Sequence, residues 1–183
     1  MSDYDRVLLW DKSMVGMQSQ KTSYEVVKEL HLRARLLRTC VKYGGVGLAA
    51  PQIGMDLSVC LINFEDTTKL LINPEIVASG EDRSGYTEGC LSWPLCSAGR
   101  GHHKTYEGGV VVRPDSITVK YQTETGEEVV EEFKEFMAHI VAHELDHLVG
   151  RFYVEHLGST ERDLVFRKFR RFKKYFEVVE TVN

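Results

Sequence analysis

His143-Glu144-Leu145-Asp146-His147 is the stretch whose residue types and spacing bear most directly on chemistry. Residues four apart on a helix share a face, about one turn from each other. Two neutral imidazoles at 143 and 147 can therefore reach one divalent cation without strain. Glu144, beside the first, is placed to accept a proton from a water that the cation polarises. The rival reading is an ordinary amphipathic helix with two surface histidines, because a five-residue pattern is short. Phe136, Ile140, Val141, Leu145 and Leu148 give an apolar face at helical spacing. Gly150 stands where a C-terminal glycine would end the helix, so the spacing predicts a helix over about 134–149.

A catalytic site of this type keeps three protein ligands and one open position. A histidine six residues after His147 would complete one known set, but Tyr153 is there. A glutamate about twenty residues downstream would complete another, and that position is Arg167; Glu161 is nearer and fits less well. The remaining soft candidate is a thiolate. Cys90, between Gly89 and Leu91, lies on what reads as a strand end. A second polar candidate is Gln52, alone among the small residues of Gly45-Val46-Gly47-Leu48-Ala49-Ala50-Pro51-Gln52-Ile53-Gly54. Small residues let backbone or ligand approach closely. Gln52 either aims an amide N–H at a ligand or satisfies the backbone of a tight turn.

Several elements must position these residues. Thr22-Ser23-Tyr24-Glu25 opens a helix with a capping pattern, and Val27, Leu30, Ala34, Leu37 and Val41 mark its expected buried stripe up to Gly44-Gly45. Arg33, Arg35, Arg38 and Lys42 read as its solvated faces. Val7–Trp10 reads as a short strand or an anchor under the core. Strands are expected at Leu57–Phe64, at Lys69–Ile72 with Asn73-Pro74 breaking it, and at Val110–Arg113, Ser116–Gln122 and Glu127–Phe133. Thr125-Gly126 suggests a turn, residues 93–109 a long loop, and Arg151–Val154 a further short strand. A last helix runs from about Thr160 to Val179, with Val165, Phe169, Phe172, Phe176 and Val179 along one face. Strand runs before one long helix give an α+β class rather than alternating α/β.

The 183 residues suit one domain, here taken as a single metallohydrolase domain with residues 160–180 as a basic amphipathic appendage. A net charge of −4 gives no global nucleic-acid signature, and no apolar run approaches the roughly 20 residues that span a bilayer. Neither DNA nor membrane is an expected partner. Met1–Arg6 lacks the pattern of a secretory signal. With only Cys40, Cys60, Cys90 and Cys96, the chain points to a reducing, cytoplasmic setting, an organellar origin remaining open.

Three stretches, Gly45–Gln52, Glu88-Gly89-Cys90-Leu91-Ser92 and His143–His147, resemble in order the three signature motifs of the peptide deformylases. The resemblance spans about residues 20–155. It implies mixed or antiparallel sheets packed around a central H-E-x-x-H helix, flanked by N-terminal and C-terminal helices. It implies one divalent metal per chain, held by Cys90, His143 and His147 with water as fourth ligand. Ferrous iron would be the usual metal, with zinc, nickel or cobalt able to replace it. The substrate would be the N-formylmethionyl end of nascent polypeptides, the products formate and a free amino terminus. Glu144 would move the proton, while the Gln52 amide and the Leu91 backbone N–H would meet the developing oxyanion. Gly47 would crowd the metal against bulkier amides. Val46, Phe136, His139 and Ile140 would line the methionine pocket, and Arg113 would bind the peptide or stand as a surface arginine.

The chain also departs from the family. His139 stands where the family usually has an apolar residue, and reads as a hydrogen-bonded pocket wall rather than a ligand. Three ligands from one straight helix would span about 11 Å, too far for one metal. The acidic-proline stretch near the amino terminus is missing. The long loop carries Cys96, His102 and His103. Arg162, Arg167, Lys168, Arg170, Arg171, Lys173 and Lys174 make the last helix basic, which reads as a solvated face or as a contact with the ribosome. Two other functions stay open: an H-E-x-x-H metallopeptidase, and a non-catalytic metal-binding module associated with the ribosome.

Overall fold

A computed structural model of the chain describes residues 4–93 and 108–180, with side chains of the last helix described to Arg171 and at Lys173. Cys96, His102 and His103 lie outside the described residues, and the side chains of the stripe positions Phe172, Phe176 and Val179 are not described. The elements run α1 (Tyr24–Glu29), α2 (Leu32–Tyr43), β1 (Gly47–Ala49), β2 (Val59–Phe64), β3 (Thr67–Ser79), β4 (Arg83–Glu88), β5 (Gly109–Pro114), β6 (Ser116–Gln122), β7 (Glu128–Lys134), α3 (Glu135–Leu148) and α4 (Ser159–Glu180). Short 3-10 helices sit at Lys12–Met14, Ala50–Ile53 and Tyr153–His156. The expected α+β class holds, with both sheets antiparallel throughout: five strands in the order β1-β2-β3-β6-β7, and the hairpin β4-β5.

The middle of the five-stranded sheet is apolar on both faces, and the β2 run Val59-Cys60-Leu61-Ile62 is apolar throughout, as is Leu70-Leu71-Ile72 of β3. Cys60 and Ile62 pack with α3, among Val141 and Ala142. Val59 and Leu61 pack with α2, among Leu36 and Cys40. Ile117, Val119 and Tyr121 alternate along β6 and close the α3 side of the core. A third cluster joins β5, the Tyr153–His156 turn and α4 through Val111, Tyr153, Val165 and Phe169. The central helix therefore lies between the sheet and the hairpin.

Four expectations are corrected. The helix after Ser23 is two helices: His31 turns left-handed at φ 51° between them. That break rotates the buried stripe to Val27, Leu32, Leu36, Thr39 and Cys40, and leaves Val41 exposed. β3 runs through Asn73-Pro74 instead of stopping there. The register shifts between Ile72 and Glu75, and the Asn73 amide exchanges hydrogen bonds with the Thr22 backbone. A bulge absorbs the missing proline N–H. Arg151–Val154 is not a strand, because the chain coils into the 3-10 turn Tyr153–His156. β4 had no counterpart among the expected strands: only Glu88 is buried in Arg83-Ser84-Gly85-Tyr86-Thr87-Glu88, so its hydrophobic signal is faint.

Val7–Trp10 is an anchor, not a strand. Leu8 donates its N–H to the Gln52 carbonyl at 2.7 Å, and Trp10 donates to the Ser92 carbonyl at 2.7 Å. One strap therefore ties down the loops that carry Gln52 and Cys90. Arg35 holds the strap's start through a two-pronged ion pair with Asp5.

Candidate metal centre

α3 begins directly after β7, and Gly150 ends it in the left-handed region at φ 65°. A Cβ there would meet Met17 N and Met14 O at about 2.5 Å, so the helix end is fixed by a glycine-only contact. His143, Glu144 and His147 all face inward and are buried. Cys90 lies two residues beyond the end of β4, in a turn closed by the Trp93 N–H on the Cys90 carbonyl. Cys90 Sγ lies 3.2 Å from His147 Nε2, and that nitrogen lies 3.2 Å from His143 Nε2. The three ligand atoms all fall within 4.8 Å of one another.

This donor set fits a metal ion. His143 Nδ1 lies 2.8 Å from Glu88 Oε2, and a carboxylate can only accept, so Nδ1 carries the proton and Nε2 presents its lone pair. Tetrahedral bonds of about 2.0–2.1 Å to nitrogen and about 2.3 Å to sulfur put neighbouring ligand atoms about 3.3–3.6 Å apart. The two separations to His147 Nε2, 3.2 Å each, are close to that. Burial lowers the pKa of His143, but hydrogen bonds to Cys90 and Glu88 outweigh it and hold the imidazole well above its ordinary range. The opposite happens at His147: burial and the neighbouring His143 charge push it well down. The pocket thus stabilises one cation among its three donors, which a metal can supply in place of a proton.

Glu144 is buried, and its Oε2 has no hydrogen-bond partner among the described residues. Burial, reinforced by Glu88, pushes its carboxyl up to about 7. Gly47 leaves the space: a Cβ there would lie 2.5 Å from Glu144 Oε1. Gln52 is 4% exposed. Its Oε1 accepts from the Ala49 N–H at 2.8 Å, and its Nε2 donates to Ser92 Oγ at 3.2 Å and faces Cys90 Sγ at 3.6 Å. The amide is thus aimed at the ligand cluster as well as bracing its turn.

A cavity of about 190 Å³ opens beside these groups. Gly47, Gln52, Leu91 and Glu144 line it, together with Val46, Phe136, His139 and Ile140. Arg113 does not line it. Its guanidinium is buried, donating to both Glu88 oxygens at 2.6 and 3.0 Å and to Asp146 Oδ2 at 2.8 Å. The expectation of a substrate-binding or surface arginine is therefore corrected: two carboxylates behind the cluster use its donors. Residue-by-residue reasoning missed Glu88 and Asp146 as partners of that arginine. They stand 25 and 33 positions from it, and only the fold brings them together.

Residues 6–163 match the family model described as polypeptide deformylase. The peptide deformylase of Caulobacter vibrioides is 33% identical over 179 residues, covering 92% of this chain and 96% of its own. A peptide deformylase crystal structure from Legionella pneumophila superposes with a TM-score of 0.80 at 27% identity, over 95% of this chain and 98% of that one. The Met-Ala-Ser-bound class I type b enzyme from Acinetobacter baumannii gives 0.74 at 29%, over 86% and 100%. With the cysteine and the two histidines clustered beside the buried glutamate, and with matches over most of its length, this chain belongs to the peptide deformylase family.

Proposed function

We propose that Cys90, His143 and His147 hold one divalent metal ion, and that Glu144 is the base and acid of the reaction. As a peptide deformylase, the chain is a metal-dependent hydrolase that removes the N-formyl group from newly made polypeptides. The observation that carries the assignment is the convergence of the three ligand atoms within 4.8 Å beside a buried carboxylate with an unpartnered oxygen.

A bound metal supplies Lewis acidity, making water acidic near neutrality and polarising the formyl group. Glu144 Oε2 takes a proton from water as the water oxygen bonds to the formyl carbon. The same carboxyl gives that proton to the leaving nitrogen as the C–N bond breaks, leaving a free amine and formic acid, which loses its remaining proton to become formate. A carboxyl near pH 7 suits both transfers. Negative charge develops on the formyl oxygen and needs fixed donors. The Gln52 N–H that faces Cys90 Sγ at 3.6 Å makes only a weak contact, so it is available for this role. The Leu91 backbone N–H is the second donor. Gly47 and Leu91 narrow the entrance to the reacting group. Val46, Phe136, His139 and Ile140 receive the methionine side chain.

Ferrous iron is the metal we favour, with zinc, nickel or cobalt as substitutes. Iron beside a thiolate is oxygen-sensitive, so the protein must be prepared anaerobically. A cytoplasmic site of action follows from the nascent-chain substrate. The exposed Arg167, Lys168, Arg170 and Arg171 on α4 give a basic face for an anionic partner, and we assign it to the ribosome.

The test is formate release from formyl-Met-Ala-Ser by iron-loaded protein. Glu144→Ala is expected to keep the metal and lower kcat by about 10²–10⁴-fold. Formate release surviving at the wild-type rate would remove Glu144 from the proton transfers.

A further inference from the structure

The turn Cys90–Trp93 carries several groups of the site. Cys90 supplies the sulfur, Leu91 the proposed backbone donor, and Ser92 Oγ accepts from the Gln52 amide at 3.2 Å. One backbone hydrogen bond closes the turn on itself, from the Trp93 N–H to the Cys90 carbonyl at 2.9 Å. That single bond is a loose hold for a sulfur that must be placed to about 0.5 Å.

The firmer hold comes from the Trp93 side chain, which is 1% exposed. Its ring stacks on Phe169 of α4, with centroids 4.2 Å apart and planes at 26°. Phe166 meets it edge-on at 4.8 Å, and Trp10 of the strap leans on it at 4.6 Å. Trp10 also meets Phe166 and Phe169, at 5.5 and 6.1 Å, so the rings form one block. Two polar ties flank the block: the Trp10 N–H on the Ser92 carbonyl at 2.7 Å, and Lys173 of α4 beside Asp11 at 3.7 Å. The Trp93 indole N–H is buried with no hydrogen-bond partner among the described residues, so ring packing holds this side chain.

We propose that Trp93 is a positioning residue of the metal centre: α4 and the strap grip its ring, and through the Cys90–Trp93 turn they set where Cys90 Sγ lies against His147 and His143. α4 then has two faces with separate roles. Its basic face is turned to solvent, and its aromatic face holds the turn that carries a metal ligand. This inference rests on the reading of Cys90 as a ligand and adds the element that places it.

The test uses the full chain loaded with cobalt(II), whose bond to a thiolate gives a charge-transfer band in the near ultraviolet. The wild type, Trp93→Ala, Trp93→Phe, Phe169→Leu and Leu32→Ala are compared below their unfolding temperatures. Leu32 is fully buried in the separate cluster at the start of α2, so its variant measures what lost core stability alone does to the metal. Trp93→Ala is expected to weaken cobalt binding by about ten- to a hundredfold, measured by competition with a chelator, and to shift or weaken the thiolate band. Trp93→Phe keeps a ring against Phe169 and should restore most of both. Phe169→Leu changes the same contact from the α4 side, without touching the turn, and should weaken binding by a smaller factor. Leu32→Ala should keep the wild-type affinity and band. Wild-type affinity with an unchanged band in Trp93→Ala and Phe169→Leu would overturn the assignment, and so would an equal loss in Leu32→Ala. Absence of a thiolate band in the wild type would overturn the ligand role of Cys90, and this inference with it.

Discussion

Glu88 and Glu144 are two buried carboxylates in one site with opposite electrostatic surroundings. Burial raises the carboxyl pKa of both. Hydrogen bonds from His143 and Arg113 then pull Glu88 down to about 2, so it stays ionised and orients His143. Glu144 has no such donors, and burial leaves it at about 7. That divergence separates a fixed anchor from a proton carrier. Gly47 protects the carrier. Gly47→Ala would push a Cβ into Glu144, whose carboxylate end is flexible enough to swing away. The expected outcome is an unchanged fold and metal content with kcat reduced by about tenfold or more, as the base loses its alignment; wild-type kcat in the variant would show that the carboxylate has no fixed place. At this scale the sequence was most readable where chemistry is contiguous. His143, Glu144 and His147 announce themselves by spacing, whereas Gln52 by itself reads equally as a turn brace, and only the family resemblance favours a role in the reaction. Arg113 misled because the two carboxylates that bind it are remote in sequence.

Among the elements, those with full alternation or a long apolar period were legible. Ser116–Gln122 matches β6 residue for residue, and β7 and α3 fall within a residue or two of their expected bounds. The failures have physical causes. β4 carries little apolar signal because its buried face holds one carboxylate, and β3 conceals a bulge at Asn73-Pro74 that resembles a strand end. The break at His31 had no proline or glycine to mark it. A histidine at φ 51° carries a steric cost that glycine avoids. His31→Gly is expected to add up to about 1 kcal/mol of stability, or about 2–4 °C in Tm, measured by thermal unfolding. A lower Tm would mean that the side chain contributes more than the backbone strain removes.

At the scale of the whole molecule, sheet and hairpin bring their site residues to one helix. The hairpin supplies Cys90, the sheet side supplies Gln52 and Gly47, and α3 supplies the rest. α4 closes the hairpin side, with Phe169 stacked on Trp93 at 4.2 Å. Removing α4 would therefore strip a packed face as well as its charges. Charge reversal is the cleaner test of ribosome contact: Arg170→Glu with Arg171→Glu should abolish cosedimentation at low salt while leaving kcat for short peptides unchanged. Equal binding by the variant and the wild type would remove α4 as the contact. The α+β class was readable from the strand runs, but the division into two sheets was not, because it depends on the unforeseen β4. The most direct test of the centre itself is X-ray absorption on protein loaded with one metal per chain. The account predicts one sulfur at about 2.3 Å and two nitrogens at about 2.0–2.1 Å, with the sulfur lost in Cys90→Ser. A shell of nitrogen and oxygen alone in the wild type would contradict it.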